Sequence, residues 1–453
     1  MNVCSHAATP QSKCQRRSLF AVGILVLASV LASAPAVCQE LLGGVAPDPV
    51  RSWNQLAIQT ARGTSTPLPQ SASLSDSQAA RLYAMVNVAM YDAVNGIIPL
   101  RTQALVPPTG APQGANRYAA AAAAAHAVLS GEFPALKAAL YDPQLRSDLA
   151  ALPPGQLTEA GRRWGVAVGN MVRGLRVNDG STPSQTQAAG AGPGQFRAAW
   201  SGVQFRDLMP FGIANSATYE GHGPPALNSA AYAAAFNDVK RVGDGRINDP
   251  ASLATYQFWS LGGGTSQPPG AWIQVAVSVT DARPLLLAEK TRLFALVSMS
   301  SADTVAPTTQ TKFNFRHWRP TTAIQEADTD GNADTIKDAG WVARAGQVGG
   351  TPEYWSGHSS FSGAAATALA GFYCNDNVSF TLRTDSAPGG VARTYPRFSA
   401  AALEAGQSRI LGGLHFQFSN VEALVSGFGV AAEILAKKLL LRVGPTHQGV
   451  CPL

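Results

Sequence analysis

A mainly α-helical bundle is the fold this sequence predicts, and three observations predict it. Apolar residues recur at helical spacing over long segments, Gly and Pro cluster between those segments, and strand-like runs are few and short. Residues 77–94 place Leu82, Met85, Val86, Ala89, Met90 and Ala93 at helical spacing. Residues 118–129 are rich in Ala, the best helix former. Further helices are expected over 157–175, 229–242, 285–298, 359–373 and 421–441, and the best strand over 378–382. The stretches 107–114, 188–194 and 262–270 read as loops, because Gly and Pro do not sustain a helix. No internal repeat is evident. The expected organisation is an N-terminal helical half over 39–225, a C-terminal half over 226–441 and a tail over 442–453.

Bulk properties narrow the function classes. The chain has 453 residues, 46% hydrophobic and 14% charged, which excludes a disordered chain and suits a packed enzyme. Its formal net charge of +6 is a modest basic excess. Blocks of Lys and Arg and aromatic-interleaved basic stripes are absent, so no nucleic-acid partner is expected. Near the N-terminus, Lys13, Arg16 and Arg17 precede an apolar run over 19–31, followed by small residues around Ala34, Ala36 and Cys38. This is the order of a secretory signal, so residues 1–38 are set aside as a signal peptide and the protein is expected to be secreted or periplasmic. Arg16-Arg17 weakly resembles a twin-arginine signal. Val37 makes Cys38 a poor lipoprotein site. No later segment reads as a membrane span, so the mature chain is not expected to cross one. Cys374 and Cys451 could pair in an oxidising compartment or remain two free thiols.

Three C-terminal segments concentrate anion-binding chemistry. In the first, Lys312 and Arg319 are seven residues apart and would share one helix face, the helix ending before Pro320. Two such cations can bind a multiply charged oxyanion, Arg319 through two N–H groups at once. Alone, the segment equally describes a solvated basic helix face. In the second, Ser356, Gly357 and His358 precede a small-residue helix, whose N-terminus favours an anion. Alone, this is also an ordinary cap beside a surface His. In the third, Gly412 and Gly413 would let Arg409 and His415 aim at one pocket, although six residues on a regular helix would not. A Gly-rich turn with a stray Arg and His is the plain alternative.

The order Lys312…Arg319-Pro320, Ser356-Gly357-His358, Ser408-Arg409…His415 resembles the signature shared by vanadium-dependent haloperoxidases and type 2 phosphatidic acid phosphatases. Residues 318–324, 85–95 and 176–180 also resemble soluble bacterial haloperoxidase-like proteins, so the likeness runs from about Trp53 to about Lys437. The resemblance implies a helical bundle of the haloperoxidase and acid phosphatase type, with vanadate as cofactor. It implies that Lys312, Arg319 and Arg409 neutralise the oxyanion, and that Ser356 and the Gly357 N–H donate to it. His415 would be the ligand to vanadium and His358 the acid–base group. Lys312 would polarise the bound peroxide, and Asp303 would pair with Arg409. The substrates would be hydrogen peroxide and a halide. In a phosphatase the same cup would take a phosphate ester, with His415 as nucleophile and His358 protonating the leaving group. A fold that binds an oxyanion without turnover is the third alternative.

Three positions depart from the family pattern. Trp355 stands where Pro is usual before Ser-Gly-His. Ser419 stands four residues after His415, where the family has an Asp that orients the His. Thr351 stands where haloperoxidases often carry an aromatic or His tied to halide handling, so no halide can be assigned. His126, His222, His317 and His447 match no family site and read as structural or surface residues.

Overall fold

The computed structural model describes residues 47–443. The segment expected as a signal peptide, His447 and Cys451 lie outside them. Cys374 is disulfide-bonded.

Helices dominate, as expected. α1 (Pro49–Arg62) begins at Asp48, whose carboxylate accepts the Arg51 N–H, with Pro49 at the first position where a missing N–H costs nothing. α2 (Asp76–Ile97) opens with a reciprocal capping box between Ser75 and Gln78. Nearly all of α2 is buried. α3 (Arg117–Glu132) carries the Ala run, and α5 (Gln156–Leu175) packs against it after the short α4 (Asp142–Ala150). Gly161 and Gly165 are spaced one turn apart, and a Cβ on either would lie 2.2 Å from the Asn116 or Ala120 carbonyl oxygen. Backbone contact is therefore what brings these two helices together.

Later helices use the same device. α12 (Gly357–Tyr373) and α14 (Gln417–Lys437) meet at Gly363 and Gly427, where a Cβ would lie 2.4 and 2.2 Å from opposing carbonyl oxygens. The buried helix α9 (Leu287–Asp303) packs against α2, α12 and α14. α6 (Ala230–Val242), α7 (Pro250–Phe258), α8 (Gln267–Ala282), α10 (Val305–Phe315), α11 (Pro320–Gln325) and α13 (Phe398–Leu411) complete the set. Two antiparallel pairs supply the strands among the described residues: β1 (Thr186–Gln187) with β2 (Trp200–Ser201), and β3 (Phe380–Arg383) with β4 (Ala392–Tyr395).

Several boundaries differ from expectation. The helix expected over 285–298 runs over 287–303. The loop expected over 262–270 ends at Ser266, because Pro268 and Pro269 occupy the first turn of α8, where their missing N–H groups are tolerated. The strand expected over 378–382 starts at Phe380, whose ring stacks on Tyr395 and Phe398. The last helix spans 417–437 rather than 421–441. By length and composition α14 could cross a membrane, contrary to the sequence reading. Here it buries Ser419, Asn420, Ala423, Ser426, Gly427, Val430, Ala431 and Ile434 within the protein.

Candidate active site

Lys312 lies in the last turn of α10, but Arg319 does not continue that helix. Arg316 takes a left-handed conformation (φ 48°, ψ 34°) and its N–H closes on the Lys312 carbonyl, ending α10 before the expected point. Arg319 is extended (φ −80°, ψ 156°) and precedes Pro320 at the start of α11. The two cations are therefore aimed by a turn and not by a shared helix face. Lys312 Nζ donates to the Pro352 carbonyl at 2.5 Å and lies 3.5 Å from the Glu353 carbonyl. Arg319 donates Nε–H to the Thr351 carbonyl (2.8 Å) and Nη1–H to the Leu414 carbonyl (2.8 Å). The same Nη1 lies 3.0 Å from His415 Nε2. Gly349 (φ +101°) lets the guanidinium lie against backbone, since a Cβ there would sit 2.8 Å from the Arg319 guanidinium carbon. Thr351, the departure noted from the sequence, thus holds Arg319 in place.

Ser356 caps α12 by accepting the Ser359 N–H (3.3 Å), and Ser359 Oγ donates to Ser356 Oγ (2.9 Å) and Asn420 Oδ1 (2.7 Å). Gly357 opens the helix, so its N–H lies in the first turn, where no intrahelical acceptor exists. His358, one residue on, is partly buried, with Nε2 3.1 Å from the Ser260 carbonyl. Trp355 is buried and donates to Thr308 Oγ1 at 3.1 Å.

Arg409 occupies the last turn of α13. Gly412 caps that helix and Gly413 takes φ +74°, so the chain reverses and the Leu414 N–H bonds back to the Arg409 carbonyl at 2.9 Å. This turn brings Arg409 and His415 together, as the paired glycines suggested. Arg409 lies 5.5 Å from the Tyr256 ring centre, its Nη1 reaches the Trp259 carbonyl at 3.5 Å, and its buried Nε has no protein partner.

Asp303 does not pair with Arg409. Its two oxygens accept the backbone N–H groups of Phe211 (2.6 Å), Gly212 (2.7 Å) and Ile213 (2.9 Å), and the guanidinium whose field it feels is that of Arg176. Burial raises its carboxyl to about 6, against those three N–H bonds. Asp303 sits at the C-terminal end of α9, where three converging backbone donors satisfy it and its nearest guanidinium is that of Arg176. Among the described residues, the side chains of the remaining histidines, His126, His222 and His317, play no part in this site. His317 is buried among Tyr232, Phe416 and Phe418, and burial lowers it to about 3. His126 bonds Asp142, and His222 is exposed.

Two carboxylates near the site were not singled out in the sequence. Glu353 is fully buried, and its Oε1 accepts from His415 Nδ1 (2.8 Å) and the Phe416 N–H (3.0 Å). Asp76, at the start of α2, places Oδ2 3.6 Å from where a Gly357 Cβ would lie, and its field reaches Lys312. Glu353 was discoverable as the acid within Pro-Glu-Tyr-Trp-Ser-Gly-His. Nothing in the sequence tied Asp76 to Lys312 and Gly357, more than 200 positions away.

Electrostatics joins these groups into one cup. Burial pushes Lys312 and Glu353 each toward the neutral form. Arg319 and Arg409 are each lowered by burial to about 10. Both His358 and His415 are held well below the usual range for histidine, by burial first and then by Arg319, Lys312 and Arg409. Whether Lys312 and Glu353 are charged or have exchanged a proton, their sum is zero. Two buried guanidiniums then remain, and among the described residues the partly buried Asp76 offsets one of their charges. Such a charge is costly away from water unless an anion accompanies it. The unpartnered Arg409 Nε, the α12 N-terminus and His415 Nε2 are donors and a ligand atom of the type a tetrahedral oxyanion needs.

Comparison with known proteins agrees. Residues 292–441 match the family model described as the VCPO second helical-bundle domain. The structure is similar to that of the first bacterial vanadium-dependent iodoperoxidase, with a TM-score of 0.70 and 21% identity over 87% of this chain and 97% of that one. It is also similar to a holo-type bacterial vanadium-dependent chloroperoxidase, with a TM-score of 0.62 and 17% identity over 87% and 98% of the two chains. No curated protein sequence matches the chain. Residues 292–441 thus match that domain's model, and the fold over 87% of the chain is similar to that of these two proteins.

Proposed function

We propose that this chain is a vanadate-dependent haloperoxidase acting on hydrogen peroxide and a halide. The observation that supports this most strongly is the net positive charge left beside His415 by two buried guanidiniums, Arg319 and Arg409. Lys312, Arg319 and Arg409 would neutralise the oxygens of vanadate, Ser356 and the Gly357 N–H would donate to it, and His415 Nε2 would be its protein ligand. When bound, vanadate supplies Lewis-acid activation of peroxide toward halide. The chain's own residues do the remaining work. His358, kept neutral by burial and neighbouring cations, accepts a proton at the accessible side of the cup and returns it. Lys312 Nζ, held by the Pro352 carbonyl, offers a fixed N–H donor to an incoming oxygen. Thr351 and Leu414 hold the Arg319 guanidinium so that it need not reorganise. The N-terminal residue order further supports export through a signal peptide.

A secreted acid phosphatase is the second reading, and one observation favours it. Glu353 gives His415 the carboxylate that Ser419 does not, as a phosphohistidine route would need. The deciding experiment is peroxide-driven halogenation of a phenol-red-type dye with chloride, bromide and iodide, with and without vanadate, beside hydrolysis of nitrophenyl phosphate. Vanadate-dependent dye turnover is expected. Phosphate release inhibited by vanadate would replace the first reading with the second. Neither activity, with vanadate still bound, would make the chain a non-catalytic oxyanion binder.

A further inference from the structure

We infer that Glu353 is the positioning residue of His415, fixing which ring nitrogen faces the oxyanion in place of the carboxylate expected at position 419. The inference rests on the oxyanion-site reading above. His415 has two chemically distinct nitrogens, and only an unprotonated one can face a central atom as ligand. Glu353 Oε1 lies 2.8 Å from Nδ1 and also accepts the Phe416 N–H at 3.0 Å. An acceptor already taking one N–H calls for the second donor to be Nδ1–H. The opposite end of the ring gives the same answer independently. Nε2 lies 3.0 Å from Arg319 Nη1, and a guanidinium can only donate. Both contacts are satisfied by a single tautomer, with the proton on Nδ1 and the Nε2 lone pair turned toward the cations.

Placement of Glu353 is rigid. Its N–H donates to the His317 carbonyl (2.8 Å), and its own carbonyl lies 3.5 Å from both Lys312 Nζ and Ser419 Oγ. The Ser419 hydroxyl is within 3.3 Å of His415 Nδ1, so it occupies the seat one helical turn on without supplying a charge. The carboxylate arrives instead from the segment before α12. Its second oxygen, Oε2, is buried without a partner, an arrangement that weakens the fold. A group kept there at a cost to stability is explained by what it does to His415.

The test uses the full chain and three variants, E353A, E353Q and E353A/S419D, with H415A as control. Orthovanadate binding is measured by calorimetry. Ring-nitrogen chemical shifts are read on vanadate-free protein labelled at histidine with nitrogen-15. E353A should weaken orthovanadate binding by roughly 10- to 100-fold, the usual effect of removing a carboxylate behind a ligating histidine. E353A/S419D should recover much of that loss, which a merely structural role would not allow. The His415 signals, identified by their absence in H415A, should show the Nδ1–H tautomer in wild type, and the Nδ1 signal should shift in E353A as its carboxylate acceptor is lost. Should E353A fail to fold, E353Q keeps an acceptor oxygen without the charge and should retain the tautomer while binding more weakly than wild type. Wild-type affinity in E353A or E353Q, with H415A impaired, would overturn the inference and leave the site reading standing. Wild-type affinity in H415A would instead sink the site reading. Even then an unchanged His415 Nδ1 shift in E353A would overturn the positioning role separately.

Discussion

Replacing Arg409 with Met should make the protein more stable and less able to hold an oxyanion. Arg409 is buried, with a Tyr256 ring beside it and Nε unpartnered. Burial lowers its guanidinium from 12.5 to about 10. A cation whose affinity for its proton is lower in the folded than in the unfolded state costs stability at every pH below the folded value, so at pH 7 the cost is fully present. At about 1.4 kcal/mol per tenfold change in proton affinity, it amounts to about 3 kcal/mol. Unfolding entropy of about 2 cal/mol/K per residue, over roughly 400 residues, makes that about 4 °C in melting temperature. Met keeps the unbranched stem against Tyr256 and removes the charge. In buffer free of oxyanions R409M should therefore melt about 4 °C above wild type. With orthovanadate at a hundredfold excess over its dissociation constant, wild type should gain about 2.7 kcal/mol, or roughly 3 °C, and R409M almost nothing. Differential scanning calorimetry with and without orthovanadate reads both effects. An R409M protein that melts lower than wild type, or that still gains from the anion, would refute the claim that this buried charge exists to meet one.

Two other substitutions probe how the site is built. His317 is lowered from 6.5 to about 3, so its neutral form stabilises the fold fully above pH 6.5, and that contribution fades as pH falls toward 3. The full gap is on the order of 5 kcal/mol. H317F should show a flatter loss of stability between pH 6.5 and 4 in urea unfolding, and an unchanged slope would count against the buried neutral ring. Gly413 takes φ +74°, and a Cβ there would lie 2.8 Å from the Gly243 carbonyl and from the Trp341 ring. G413A should cost about 2–4 kcal/mol from strain and overpacking, with loss of orthovanadate binding, because the turn aiming His415 opens. Wild-type binding in a folded G413A would show that this turn does not set the site.

Much of this was legible in the residues because the signals are local. Ser356 as a helix cap follows from its place before a small-residue helix. The reversal between Arg409 and His415 follows from two adjacent glycines. What escaped depends on partners distant in the chain. Helical spacing put Lys312 and Arg319 on one face, but Arg316 breaks the helix at a left-handed turn that no Gly or Pro announces. Asp303 matched a family position, yet its environment is decided by the loop at 211–213, about ninety residues earlier. Ser419 looked like a lost carboxylate because position 419 is all that helical periodicity can reach. Glu353 comes back to the same nitrogen from 62 residues away, and only the folded chain shows it. α1, α4, α7, α8, α11 and α13 were not expected as helices.

The central claim is that three distant segments form one cup with His415 Nε2 facing a tetrahedral oxyanion. Its most direct test is elemental analysis of purified protein after loading with orthovanadate and removal of the excess by gel filtration. Wild type should retain vanadium close to equimolar with protein, and H415A, folded by circular dichroism, should retain almost none. Equal retention by both, or none by wild type, would contradict the account.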